Sequence, residues 1–178
     1  MRKCKVCRRK FTPRFSTLQS TCEDPSCVVS WAKKDMQNNR KKEMKIMKDK
    51  VKRVSDWKRD LRIIFHRYIR LRDKDLPCIS CGGKLGEKYD AGHFYSRGAF
   101  PNLAFDPMNV HAQCVRCNQW LSGNLIEYSF NLPRRIGDQE FNLLRERRNL
   151  RASLSISEIQ SLIAHYKQLI KSISNELH

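Results

Sequence analysis

Two close cysteine pairs, Cys78-Ile-Ser-Cys81 and Cys114-Val-Arg-Cys117, frame a short block of polar residues in this 178-residue chain. Asp90, His93, Asn109, His111 and Asn118 lie between those pairs or directly beside them. Two Cys-x2-Cys units separated by 32 residues have zinc-ligand spacing. Four thiolates close a tetrahedral site and leave no position for a substrate, so this zinc is structural and catalysis needs a second metal. His93 is the candidate general base, because unperturbed imidazole titrates near 6.5. Hydrolysis of a phosphodiester also requires stabilisation of charge on the phosphoryl group and the departing 3′-oxygen, which Mg²⁺ or Mn²⁺ on oxygen ligands supplies. Asp90 and Asn118 are oxygen donors in the two segments that zinc would draw together. Asn109 could exchange a hydrogen bond with the imidazole and fix its tautomer. His111 stays open between phosphate binding, a share in the metal site and packing beside the zinc. His66, His165 and His178 read as ordinary core or surface histidines.

Charge points to the partner. The chain carries 36 Lys and Arg against 18 Asp and Glu, a net charge of +18 at pH 7. Such an excess suits a polyanion, with duplex or branched DNA ahead of an anionic membrane surface. No apolar run of about 18 residues could span a bilayer. The charged first ten residues do not resemble a secretory signal, which places the protein in the cytoplasm (that of a bacterial host, if phage-encoded). All eight cysteines fall in close pairs, the pattern of metal thiolates in a reducing compartment rather than of a disulfide framework.

Four regions must position these residues. Residues 1–30 hold Cys4, Cys7, Cys22 and Cys27, a second structural zinc set, in an N-terminal knuckle with seven basic residues and no acidic one from Arg2 to Arg14. Residues 31–75 lack proline and glycine up to Arg72 and read as one long basic helix, or two with a bend near Ser55. Its stripe of Met44, Met47, Val51, Val54, Leu61, Phe65 and Tyr68 suits either packing within the chain or a homodimer. Residues 76–130 hold the Cys-framed block, with a short hairpin around His93 and a helix over about Gln113 to Leu121. Residues 131–178 are helical. Phe141, Leu143, Leu144 and Leu150 mark one segment, and the capping box Ser155-Ile-Ser-Glu158 opens a last helix.

Cys78-x-x-Cys81-Gly82, Asp90-Ala-Gly-His93-Phe94, Asn109-Val-His111-x-Gln113-Cys114-x-x-Cys117-Asn118 and Ser122-Gly123-Asn124-Leu125 resemble the NinG (Rap) recombination endonucleases of lambdoid phages, which belong with the HNH, or ββα-metal, nucleases. The resemblance covers most of the chain. It implies an α+β fold: a small zinc-stapled HNH-like core with an N-terminal knuckle and long basic and C-terminal helices. It also implies a structure-specific endonuclease acting on D-loops and Holliday junctions, with recombination proteins as further candidate partners. By that resemblance His93 activates water, Asn109 orients it and Asn118 binds the metal. The wider HNH pattern places a metal ligand immediately before the basic histidine, where this chain has Gly92. Asp90, if a bulge turns it, or His111 is expected to fill that place.

Arg97 and Arg116 are candidate phosphate clamps, and the basic N-terminal third would add sequence-independent phosphate contacts. Branch recognition would then rest on shape. The rival reading is a non-catalytic zinc-stapled module that binds nucleic acid. A third is a regulator whose long helix binds another protein. A pure binding module has no need for Asp90, His93, Asn109 and Asn118 together.

Overall fold

The computed structural model describes residues 1–150 and 153–175, so His178 lies outside the described residues. The chain divides into two compact units, Met1–Lys52 and Arg53–His178. The fold is α+β, with two small antiparallel sheets, several helices and two four-cysteine clusters. No helix among the described residues is long and apolar enough to cross a membrane.

In the first unit, β1 (Arg2–Lys3) pairs with β2 (Lys10–Phe11) around the Cys4–Cys7 turn. Helix α1 (Pro25–Val51) starts where Asp24 accepts a hydrogen bond from the Ser26 backbone N–H and Pro25 fills the first helical position. Cys27 lies in that first turn and is buried. The four residues between Cys22 and Cys27 therefore carry the chain through the helix cap. The remainder of α1 is largely exposed, including Met44, Met47 and Val51.

The expected helical region divides at Lys52 and Arg53, both extended, close to the anticipated bend. Its apolar stripe divides with it. Leu61, Phe65 and Ile69 of α2 (Val54–Arg72) are fully buried, whereas Met44, Met47 and Val51 of α1 are exposed.

In the second unit, β3 (Tyr89–His93) pairs in unbroken antiparallel register with β4 (Val110–Cys114). Helices α2 and α5 (Ile156–Asn175) cover one face: Leu61, Phe65 and Ile69 meet Ala91, Val110, Ile159, Ile163 and Tyr166. On the other side of the hairpin, α3 (Leu125–Ile136) and α4 (Asp138–Arg147) build a second core with Ile79, Leu103, Tyr128, Leu132 and Leu144. The capping box is formed: Ser155 N–H donates to Glu158, and Glu158 N–H donates to the Ser155 hydroxyl. Helix α5 is thus part of the core that holds the hairpin, not an appended region. The helix expected over Gln113 to Leu121 is shorter than anticipated. Cys114 ends β4, and one wide helical turn covers Arg116–Trp120.

Phe65 joins α2 to α5 and to the loop after β3, with Tyr166 at 5.0 Å and Phe105 at 5.9 Å between ring centroids. Phe65→Ala is expected to cost about 3–5 kcal/mol, read as a lower unfolding midpoint in denaturant.

Candidate active site

The second cysteine set draws three pieces of chain together. Cys78 and Cys81 lie on a turn, Cys114 closes β4, and Cys117 lies in the helical turn that follows. The turn is fastened to the strand by Ile79 N–H donating to the Ala112 carbonyl. In each set the four sulfurs lie within 4.8 Å of one another. The separations of 3.8 Å for Cys7–Cys22 and 3.9 Å for Cys81–Cys114 are far beyond a disulfide bond. They match the edge of a tetrahedron with zinc–sulfur bonds of about 2.3 Å. Burial and neighbouring sulfurs push the Cys27 and Cys117 thiols up to about 12. A divalent cation that displaces the protons removes that cost.

This arrangement delivers Asn118 to Asp90. The Asn118 amide donates to Asp90 Oδ2 at 2.9 Å, and the Gln119 amide donates to the same oxygen at 2.7 Å. Two neutral amides therefore satisfy a carboxylate that has no ion pair among the described residues. A carboxylate and amide oxygens make an all-oxygen donor set, which fits a hard cation such as Mg²⁺ or Mn²⁺. Asp90 also borders a cavity of about 740 Å³ lined by Arg67, Arg70 and Lys88.

His93 lies on the opposite face of β3 from Asp90, because the register is regular and no bulge turns Asp90. Its Nε2 meets the Ala104 carbonyl at 3.0 Å. A carbonyl oxygen only accepts, so Nε2 carries the proton and Nδ1 presents a lone pair that no protein group among the described residues takes up. Burial lowers the basicity of His93, the Ala104 carbonyl partly restores it and Arg97 lowers it further. The imidazole is neutral at pH 7 and chemically a base.

Asn109 does not touch that imidazole. Its Oδ1 accepts from Tyr95 N–H, and its Nδ2 donates to the carbonyls of Tyr95 and Leu103. The fully buried amide thus closes the loop between the strands and fixes the residue preceding Ala104. Any orienting effect on His93 passes through the loop backbone.

His111 is placed as a packed residue, one of the alternatives its position left open. It is buried, Nε2 meets the Met108 carbonyl at 3.2 Å and Nδ1 meets the Arg72 guanidinium at 2.8 Å. Guanidinium only donates and carbonyl only accepts, so both ring nitrogens are taken and none is left for a metal. Gly92 is not a vacant ligand position either. A Cβ there would lie 1.8 Å from Gln113 Oε1, within a buried side chain fastened to Ser80 and the Gly123 carbonyl. Arg116 is exposed on its helical turn, and nothing in the structure ties it to His93.

The profile described as Bacteriophage Lambda NinG protein matches residues 1–176. The chain is 35% identical to protein ninG of Escherichia phage lambda over 194 residues, covering 98% of this chain and 94% of that protein. Protein ninG of Escherichia phage 933W is 35% identical over 190 residues with the same coverage, and that of Salmonella phage P22 is 35% identical over 192 residues, covering 97% and 93%. The chain belongs to the phage NinG family. No solved structure matches it.

Two features of this NinG protein escape reading by motif. One is His66 of α2, whose ring centroid lies 5.6 Å from that of His93. Its Nε2 is buried without a hydrogen-bond partner, and burial, His93 and nearby arginines push it down to about 4. The other is the Ala104 carbonyl, a backbone group that sets the tautomer of His93. Their only trace in the sequence is the three- and four-residue spacing of Arg59, Arg62, His66 and Arg70 on one side of α2.

Gly92→Ala is expected to destabilise the protein by about 1–3 kcal/mol through collision with Gln113, measured by chemical denaturation. Mass spectrometry under native conditions is expected to find two zinc ions per chain; one or none would remove the two-site assignment.

Proposed function

We propose that this NinG-family protein is a divalent-metal-dependent endodeoxyribonuclease that hydrolyses the backbone of branched DNA such as D-loops and Holliday junctions. The β3–β4 hairpin and the helical turn after it serve as its HNH-like ββα-metal core. The observation that carries this reading is the neutral His93, its Nδ1 free and its Nε2 held by a carbonyl, on the same short strand as the Asp90–Asn118 oxygen donors. A binding module has no need of a free imidazole lone pair on one face of a strand and an oxygen-donor set on the other.

Asp90 and Asn118 would hold the cation. When bound, Mg²⁺ or Mn²⁺ supplies charge stabilisation for the phosphoryl oxygens and the departing 3′-oxygen. His93 Nδ1 takes a proton from water as the water oxygen bonds to phosphorus and the bond from phosphorus to the 3′-oxygen breaks. The products are a 5′-phosphate and a 3′-hydroxyl, the latter protonated from solvent. Asn109 positions the base through the loop. Arg67, Arg70 and Arg97 draw the polyanion toward the strand. Pairing of two copies through the exposed face of α1 would supply two active sites for a two-stranded branch. The bacterial host cytoplasm is the setting in which such a substrate and reduced thiolates coexist.

His93→Ala is expected to abolish Mg²⁺-dependent nicking of a purified four-way junction while zinc content and junction binding stay as in wild type. Asp90→Ala is expected to lower cleavage by at least about 100-fold, partly restored by raised Mn²⁺. Wild-type protein that binds junctions and never cuts them with Mg²⁺ or Mn²⁺ would refute catalysis. The acid limb of kcat/KM reports the free base. It is expected below pH 6.5, because burial depresses the basicity of His93. Arg97→Gln removes a positive charge and is expected to move that limb upward.

A further inference from the structure

A second cavity lies at the other end of the α2 arginine row, entirely within the second unit. It has a volume of about 530 Å³ and is bounded by α2, the Pro101–Phe105 segment and Ser153–Leu154. Its wall includes Ala104, the residue whose carbonyl holds His93. Its lining is divided in chemistry. Pro101, Phe105 and Leu154 provide an apolar side, and Lys58, Arg59, Arg62 and Arg97 provide a cationic one. Asp56 is the only acidic group in the lining, and Arg59 pairs with it at 3.1 Å. Lys58, Arg62 and Arg97 have no ion-pair partner among the described residues.

The same cations reach toward the site. Arg97 bears on both His93 and His66, and Arg62 on His66. From Arg62 to Arg70, which borders the cavity of Asp90, α2 advances about 12 Å at 1.5 Å per residue. The two cavities thus lie along one helix, with His66 and His93 between them.

We infer that this second cavity is a subsite for an unpaired nucleotide flanking the scissile phosphate. This rests on the endonuclease reading and extends it to substrate class. Arg62 and Arg97 take backbone phosphates, and Phe105 and Leu154 take the sugar and one face of the base. A space of this volume suits one small ligand. It does not admit a duplex, whose major groove alone is about 12 Å wide. An unpaired nucleotide is what a D-loop or flap offers and a continuous duplex or fully paired four-way junction does not, so the cavity favours branches that carry single strand, without reading sequence.

The test uses the zinc-loaded full chain with no Mg²⁺ added, and fluorescence anisotropy of labelled oligothymidylate and of a 20-base-pair duplex. Ser153 and Ser55 are exposed residues of the lining, so Ser153→Trp and Ser55→Trp add bulk at the cavity without removing charge or core packing. Each is expected to weaken oligothymidylate binding about tenfold and to change duplex binding less than twofold. The Arg62→Gln/Arg97→Gln double variant is expected to make the slope of log K against log salt shallower by about 1.4, the value for two phosphates on a single strand. Oligothymidylate binding within twofold of wild type in both tryptophan variants, with zinc content intact, would overturn the subsite. Expected binding results from a protein that never cuts junctions with Mg²⁺ would support the subsite and overturn the endonuclease reading instead.

Discussion

Asp73 is the group on which the geometry of the hairpin depends. It caps α2, is 1% exposed and receives the Arg72 guanidinium through two hydrogen bonds and the Ala112 N–H through a third. Arg72 Nη1 also donates to the Pro107 carbonyl, and Nη2 lies within hydrogen-bond reach of the Val110 carbonyl and His111 Nδ1 as well as of Asp73. Burial alone would raise Asp73, but the Arg72 guanidinium and the Ala112 N–H hold it well below the usual carboxylate range. A buried charge so fully bonded contributes little net stability over an apolar pair, yet removing one partner strands the other charge. Its effect is therefore to fix one arrangement. The C-terminal end of α2 is locked to β4, and the Arg70 carbonyl receives the Tyr89 hydroxyl of β3. With the helix fixed at that end, His66 falls beside His93 and the arginine row runs along the sheet.

The two kinds of candidate metal site follow from this frame. Thiolates hold the ends of the hairpin, where they are remote from the base but decide where Asn118 begins. The oxygen donors lie one residue beyond the last cysteine, so small changes in the sulfur cluster translate directly into the position of the Asp90–Asn118 pair. Gln113 links the parts from inside. Its amide bridges Ser80 of the cysteine turn and Gly123 after the helical turn, while its oxygen lies over Gly92. The side chain expected before the basic histidine is absent because Gln113 occupies its space.

Much of this was legible in the sequence where the signal was local. Cysteine spacing identified both sulfur sets, and the capping box opened α5. What the sequence left open has a common physical cause. His111 and Asn109 sit at motif positions, but their roles depend on what the loop and the end of α2 place beside them. Arg72 and Asp73 are adjacent in a charged stretch and look solvated; only tertiary packing buries them. The α1 and α2 stripes share one spacing, and spacing alone does not say which has a partner helix. Here α5 supplies it for α2.

The electrostatics of His93 join substrate binding to reactivity. In the free protein, Arg97 opposes protonation of the imidazole, which keeps the base uncharged but also weakens it. On the proposed reading, a phosphate drawn in by the same arginine would add negative charge beside His93 and cancel that effect. The imidazole would then become more basic on arrival of the phosphate. His66 reinforces the asymmetry: neutral and unable to hydrogen-bond through Nε2, it adds no competing charge to the pocket. On the proposed endonuclease reading, the row of arginines would attract the backbone and hold the base in reserve until the substrate removes the restraint.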